Sequence, residues 1–469
     1  ENQHFFILLY IKMRTVDDIL KNVEKAGGHD NFLQKLYRNT RRLFVQRREK
    51  AEESRMFEKI NHIPWIKRLR FSKVKKNIGN IYKQHLQNLQ GAAKYRKIRI
   101  AFLVNEASKW HAGSLYDLFE SSNHFEPLIL ATKRISCFDA TEEFNATLSF
   151  FKNTGMRVEC AYDALEHEYL DLKNFSPDII FYEQPWGVER LQSISRVAAF
   201  ALTCYTPYCF HMMCSEYDYL ELFHRFLWKY FVESPWHLES YKNRFKADNC
   251  VSSGSLHLDK YFSKKMPHMD FWKDVSPAKK RIIYAPHFTF TTQHRVATFP
   301  QNGRFMLNLA DMYPQTTWAI KPHPGFDQHV VADGIMTQQE LDEYYAAWGK
   351  YGTIIRGGDY FDLFKTSDCL ITDCISFLAD YFPSGKPVFH LRRNDQSKEF
   401  NDFGKDIIGT YYQIHSNAEL EKLFSRVMID GDDFMAPLRL ERMEKLQLVS
   451  NETASKCVFD YLRKELKIP

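Results

Sequence analysis

The spacing of apolar and polar positions changes character near Lys97. From Phe5 to about Leu89, apolar residues such as Ile19, Leu20, Val23, Phe32, Leu33, Leu36 and Phe44 recur at helical intervals in a polar, Lys/Arg/Gln-rich background with few glycines and prolines. That period predicts several helices over residues 1–95. Beyond it, Lys97–Asn105 (KIRIAFLVN) is a short, β-branched apolar run, followed by a helix-like segment around Gly113–Phe119. A strand apolar on both faces that feeds a helix is the first βα unit of a parallel sheet. Phe125–Ala131 and Phe175–Tyr182 supply further strands, and the helix-like SISRVAAFAL leads to another apolar strand edge in TCYTPYCFHM.

A second series starts beyond Pro267 and Pro277. Arg281–Ala285, Thr317–Ile320, Gly352–Arg356, Cys369–Thr372 and Pro387–Leu391 read as strands. Phe305–Met312, Asp362–Ser367 and the segment starting at Ser376 read as helices, and Ala418–Lys467 as mostly helical. Strand, polar tip and helix thus repeat about five times, as in a doubly wound sheet. The expected fold is α/β, with two Rossmann-like lobes about a central cleft. Residues 96–265 form the first lobe, 266–469 the second with terminal helices that brace the lobes, and 1–95 a helical region ahead of both.

Composition narrows the classes. A chain of 469 residues, 44% hydrophobic and 26% charged, is an ordinary globular protein large enough for several domains. Its net charge of +6 is too mild to indicate a nucleic-acid partner. The nine cysteines follow no regular spacing, which reads as reduced, cytosol-facing thiols. No run approaches 18 uninterrupted apolar residues. The stretch Arg41–Lys76 is dense in Lys and Arg, from Arg41 and Arg42 through Lys75 and Lys76, among Phe44, Phe57, Trp65 and Phe71. It reads first as a solvated helical face packed on the next domain, and alternatively as a contact with an anionic membrane surface on the cytoplasmic side.

The candidate chemistry lies at strand tips, where open parallel sheets place ligands. In the second lobe one tip is Ala285-Pro286-His287, with His294 and Arg295 shortly after. A second is Lys321-Pro322-His323-Pro324, whose prolines stiffen the chain around a basic pair. A third is Thr372-Asp373-Cys374-Ile375-Ser376, which opens a helix; Asp373 either caps that helix or serves a ligand. Together they offer a cation, imidazoles and helix N–H groups, the kit that binds a diphosphate and stabilises it as it leaves. In the first lobe, Glu183 to Gly187 follows one strand, and His211 lies near the tip of another. A Walker A sequence, a GxGxxG fingerprint, HExxH and a Cys/His cluster of ligand spacing are all lacking, so neither a metal nor a cofactor is expected.

Over Tyr284–Asp380 the sequence resembles the CDP-glycerol glycerophosphotransferase family, which builds teichoic-acid and capsular polyol-phosphate polymers in bacteria. The resemblance rests on Tyr284-Ala285-Pro286, on Lys321-Pro322-His323-Pro324, on Ser367, Asp368, Leu370, Ile371, Asp373, Ser376 and Asp380, and on Lys386-Pro387-Val388. Departures mark a divergent member. Ile375 stands where the family has a serine, and His287-Phe288-Thr289 where it has Thr-Trp-Arg. The first-lobe Trp-His-Gly-Thr element has no clean counterpart, its place falling at Tyr205-Thr206-Pro207-Tyr208.

The resemblance implies the GT-B architecture and transfer of a polyol phosphate, glycerol or ribitol phosphate, from a CDP-activated donor to a hydroxyl of a polysaccharide or lipid-linked acceptor. The alternative is a sugar-transferring GT-B enzyme with a nucleotide-sugar donor. A base is needed at the acceptor hydroxyl, and cationic or N–H groups at the departing phosphate. His211, and after it Glu183, is the expected base. His323 and Lys321 are expected on the phosphates with His287, Thr372, Ser376 and Arg295, and Asp373 is expected to organise the helix start. The expected setting is the cytoplasm, peripheral to the inner face of the membrane.

Overall fold

The computed structural model describes residues 64–135, 140–262, 267–291, 295–358, 360–393, 400–448 and 452–469, with side chains described from 78 onward except at 140, 218–219 and 221–222. Two wholly parallel sheets lie within one compact unit, Ile78–Pro469. The first is built from β1 (Ile98–Val104), β2 (Phe125–Ala131), β3 (Val158–Cys160), β6 (Ile179–Tyr182), β7 (Leu202–Tyr205), β8 (Lys229–Val232) and β9 (Cys250–Ser252), in the order β3-β2-β1-β6-β7-β8-β9. A small hairpin, β4 (Tyr162–Asp163) and β5 (Glu168–Tyr169), interrupts the numbering. The second sheet runs β12-β11-β10-β13-β14-β15, from β10 (Lys280–Ala285), β11 (Thr316–Ile320), β12 (Gly352–Ile354), β13 (Cys369–Thr372), β14 (Val388–Leu391) and β15 (Tyr412–Ile414).

Each sheet reverses its direction of winding once, between β1 and β6 and between β10 and β13, and a crevice opens there at the carboxyl ends. Register makes the second-lobe tips end level. Ala285 pairs with Thr372 across β10 and β13, Tyr284 pairs with Ile320 across β10 and β11, and the Lys321 amide donates to the Tyr284 carbonyl at 2.8 Å.

The strands form where they do because both faces are covered. Ile282 to Ala285, Cys369 to Thr372 and Val388 to Leu391 are buried throughout. The β1, β2, β10, β11, β13 and β14 segments coincide with the apolar runs to within a residue or so. In the first core Phe102 stacks on Phe181 at 5.1 Å, and in the second Trp318 packs on Trp348 and Phe424.

The last helix, Ala454–Glu465, follows the second lobe in sequence but buries Val458, Phe459 and Leu462 in the first-lobe core, beside Phe119 and Phe125. Its start is held by Asp259, whose carboxylate accepts the Ala454 and Ser455 amides at 2.7 and 2.8 Å. The same core takes Tyr82 and Leu89 from the helix Pro64–Ala92, ahead of the boundary drawn at 95. The basic stretch Arg41–Lys76 lies outside the residues whose side chains are described. Among the described residues no helix is long and apolar enough to cross a membrane, and the eight described cysteines are free thiols.

His211–Met213 of the first lobe meets Phe400–Gly404 of the second. The Asn401 amide donates to the Met212 carbonyl at 2.8 Å, its side chain to the His211 carbonyl at 2.9 Å, and Met213 and Phe400 form a β-bridge. Gly404 permits this approach, since a Cβ there would sit 2.5 Å from the Met212 carbonyl oxygen. Gly404→Ala is therefore expected to lower stability by about 1–3 kcal/mol through overpacking. Urea unfolding of the variant measures this, and an unchanged midpoint would contradict the contact.

Candidate active site at the strand tips

In the second lobe a buried carboxylate holds the tips together. Asp373 Oδ1 accepts the His287 amide at 2.7 Å, and Oδ2 accepts the Thr298 amide at 2.6 Å and its hydroxyl at 2.8 Å. Burial pushes the Asp373 carboxyl up to about 6, against the pull of the Thr298 and His287 donors. Thr372 is also used internally: its hydroxyl donates to the Ala285 carbonyl at 2.7 Å and accepts the Cys374 amide at 2.9 Å.

The neighbouring imidazoles share a tautomer. His323 Nδ1 accepts the Gly325 amide at 3.2 Å, and His287 Nδ1 accepts the Thr289 amide at 3.3 Å. Each ring therefore carries its proton on Nε2, and the ring centres lie 4.8 Å apart. Burial, followed by the charges of Lys109 and Lys321, pushes His323 down to about 4, so at neutral pH it is an uncharged N–H donor. Lys321 is buried, with Nζ on the Gly357 carbonyl at 3.0 Å, and desolvation lowers its pKa.

Lys109, whose charge reaches His323, belongs to the first lobe. It lies on the loop after β1, bonded to Glu106 at 2.5 Å and Gln184 at 3.0 Å, with its ammonium 5.2 Å from the Tyr208 ring centre. Arg134 also reaches Glu106, at 2.7 Å, and a Cβ on Gly187 would meet the Arg134 stem at 2.8 Å. Glu143 is pushed up to about 7 by burial beside the charged Glu106.

Deeper, at the β1/β6 switch point, Glu183 is buried, and its Oε1 has no hydrogen-bond partner in the protein. Desolvation raises its pKa well above the carboxylate range, although Lys109 opposes the shift. His111 Nδ1 lies 3.7 Å from that oxygen and 3.0 Å from the Lys109 carbonyl, to which it donates. The proton then sits on Nδ1, leaving Nε2 to accept the Thr206 hydroxyl at 3.3 Å. Burial lowers His111 to about 4.

Solved structures share this arrangement of lobes. The wall teichoic acid polymerase TagF superposes with a TM-score of 0.52 at 12% identity, covering 86% of this chain and 98% of its own. UDP-GlcNAc 2-epimerase from Neisseria meningitidis bound to UDP-GlcNAc gives 0.51 at 14% identity, covering 78% and 100%. A putative UDP-N-acetylglucosamine 2-epimerase from Listeria monocytogenes gives 0.51 at 13%, covering 79% and 97%. The architecture is GT-B. No protein-family model and no curated protein matches the sequence.

Within this GT-B frame the structure gathers His287, Lys321, His323, Thr372 and Asp373 at the level tips of β10, β11 and β13. Asp373 does not cap the following helix, which has no side-chain cap, because its oxygens are taken by His287 and Thr298. Ser376 lies in the first turn of that helix with its hydroxyl 3.4 Å from the Cys374 sulfur. Arg295 is exposed on the loop after β10, and His294 lies outside the described residues.

His211 is enclosed. Its Nδ1 is 2.8 Å from Glu233 and within 3.2 Å of the Tyr230 and Tyr241 hydroxyls, and Nε2 is 3.4 Å from Tyr205. Although burial opposes it, the Glu233 carboxylate raises the His211 pKa. The sequence reading missed His111, Glu106 and Lys109, which stand on a loop beyond the β1 run. The visible signal was Trp110-His111 ahead of Gly113 in a βα connection. Among the described residues no group of three His, Cys, Asp or Glu side chains is placed to hold a metal.

Because the folded-state pKa of His323 lies below that of an unfolded histidine, its contribution is fully present above about pH 6.5 and is lost as pH falls towards 4. Asn in its place keeps an acceptor for Gly325 and does not titrate. His323→Asn is thus expected to flatten the fall in unfolding free energy between pH 6.5 and 4, as read from urea titrations at both pH values. Asp373→Asn leaves a buried donor or acceptor mismatched and is expected to cost about 1–3 kcal/mol. Equal midpoints for wild type and this variant would remove Asp373 from its central place.

Proposed function

We propose that this chain transfers a polyol phosphate from a CDP-activated donor to a hydroxyl of a polysaccharide or lipid-linked acceptor, in teichoic-acid-like or capsular polymer synthesis. The observation that carries the reading is the pair of Nε2–H imidazoles, His287 and His323, beside buried Lys321 at level strand tips. Such preorganised donors suit a diphosphate, whose negative charge grows on the leaving phosphate as the bond to the transferred phosphorus breaks. A neutral histidine gives an N–H to that oxygen without losing its own proton. The motifs around Ala285-Pro286, Lys321-Pro322-His323-Pro324 and Asp373 support a polyol-phosphate donor, and the TagF likeness supports the fold for it.

On the acceptor side the geometry favours Glu183 over His211. Glu183 stands at the switch point with an unpartnered oxygen, whereas the His211 nitrogens are engaged with Glu233 and three tyrosines. Burial raises the proton affinity of the Glu183 carboxylate, which strengthens it as a base when it is ionised. In this scheme Glu183 takes the acceptor hydroxyl proton as the oxygen attacks phosphorus, and His111, tied to Thr206 on the β7 tip, stands 3.7 Å beside it. The family resemblance puts a histidine at that tip; here one arrives from the β1 loop.

Incubation with CDP-glycerol, CDP-ribitol and a UDP-sugar, each with an acceptor, tests the donor class. CMP release with polymer growth is the expected result. Release of UDP alone would assign the cleft to the nucleotide-sugar alternative. His323→Ala and Glu183→Gln are each expected to lower kcat/KM by roughly 10²–10³-fold with the fold retained.

A further inference from the structure

At the carboxyl ends of β14 and β15, beyond the tips described above, lies a cavity of about 420 Å³. Its wall carries Arg392 and Arg393 from the end of β14 and His415 from the end of β15. Thr298, Gln301 and Asn302 come from the start of the helix Phe299–Met312. Among the described residues that line it there is no carboxylate. The nearby Glu419 carboxylate is occupied by the His415 amide at 2.8 Å.

The cavity is built. Arg393 Nη1 donates to the Ala297 carbonyl at 3.1 Å, which fixes the guanidinium against the loop that carries Thr298. Asn302 is oriented from both ends, its amide donating to Thr298 Oγ1 at 2.7 Å and its oxygen accepting the Tyr284 hydroxyl at 3.1 Å. The Arg392 Nε–H is buried and has no hydrogen-bond partner in the protein. A buried guanidinium N–H without an acceptor is costly, and the positive charge it belongs to stands in the cavity wall.

We propose that this cavity is a second anion site, which takes a phosphate ester. Two guanidinium groups offer the paired N–H geometry that matches phosphate oxygens, and the volume leaves room for the organic group the phosphate carries. The site is separate from the His287–Lys321–His323 tips but shares a wall with them. Thr298 lines the cavity and is also held on Asp373, so a bound phosphate ester abuts the node that positions His287. The choice of ligand rests on the reading of the protein as a polyol-phosphate transferase: the incoming acceptor chain and small polyol phosphates are the two sources of this group.

Calorimetric titration of the full chain with sn-glycerol 3-phosphate, and separately with a short poly(glycerol phosphate) oligomer, tests the site. Wild type and Lys321→Met are expected to bind alike. Arg392→Gln and Gln301→Glu, the latter an exposed change that sets a negative charge at the rim, are expected to weaken binding by about tenfold or more at unchanged Tm. Tighter binding of the oligomer assigns the site to the acceptor chain, and equal binding to small phosphate esters. Absence of binding to wild type overturns the proposal. So does binding that is lost in Lys321→Met and kept in Gln301→Glu, because the phosphate would then occupy the first set of tips. CMP release, measured independently, separates failure of this site from failure of the transferase reading.

Discussion

One buried carboxylate organises the second lobe. Asp373 ends β13, yet its oxygens are occupied by donors from the loop after β10 and from the start of the next helix. The β13 tip is thereby fixed to both ends of the connection between β10 and the helix Phe299–Met312 to within hydrogen-bonding tolerance. The energetic logic is that of a buried polar group: left unsatisfied it opposes folding, and satisfied three times over it specifies a single arrangement. The placement of His287 beside His323 and the wall of the arginine-lined cavity follow from it.

The first lobe is organised differently. Its tips carry charge pairs in place of a single node, with Glu106 between Lys109 and Arg134, and Glu183 beneath them without a hydrogen bond at one oxygen. Electrostatics here is tuned by desolvation: the same burial raises Glu183 and Glu143 and lowers His111. Two lobes of one topology thus present unlike chemistry across the cleft, N–H donors and a lysine on one side, titratable acids on the other.

The sheets were legible because a parallel strand covered on both faces writes itself as an unbroken apolar run, as in IRIAFLV and RIIYA. At the sheet margins β12 was read as a strand, but others were not. β9, Cys250–Ser252, and β15, Tyr412–Ile414, are three residues long and part polar, and their strand character comes from the neighbour they pair with. The second-lobe tips could be read because proline brackets mark Lys321 and His323. Asp373 was legible as a site residue but not as a node, since Thr298 lies 75 positions away. His111 followed no strand directly, and its neighbours Thr206 and Glu183 reach it through the tertiary fold. His211 had the right residue type in the right stretch, but the tyrosines around it come from β7, β8 and the helix Pro235–Phe245.

The return of the last helix to the first lobe has a mechanical consequence. The chain crosses between the lobes once near Leu256–Asp259 and again ahead of Ala454, and Asp259 staples the two crossings together. A single crossing would act as a swivel and let the lobes twist about any direction. Two crossings pinned side by side act as the knuckles of a door hinge and, with the Met213–Phe400 bridge, restrict the relative orientations open to the acids of one lobe and the imidazoles of the other.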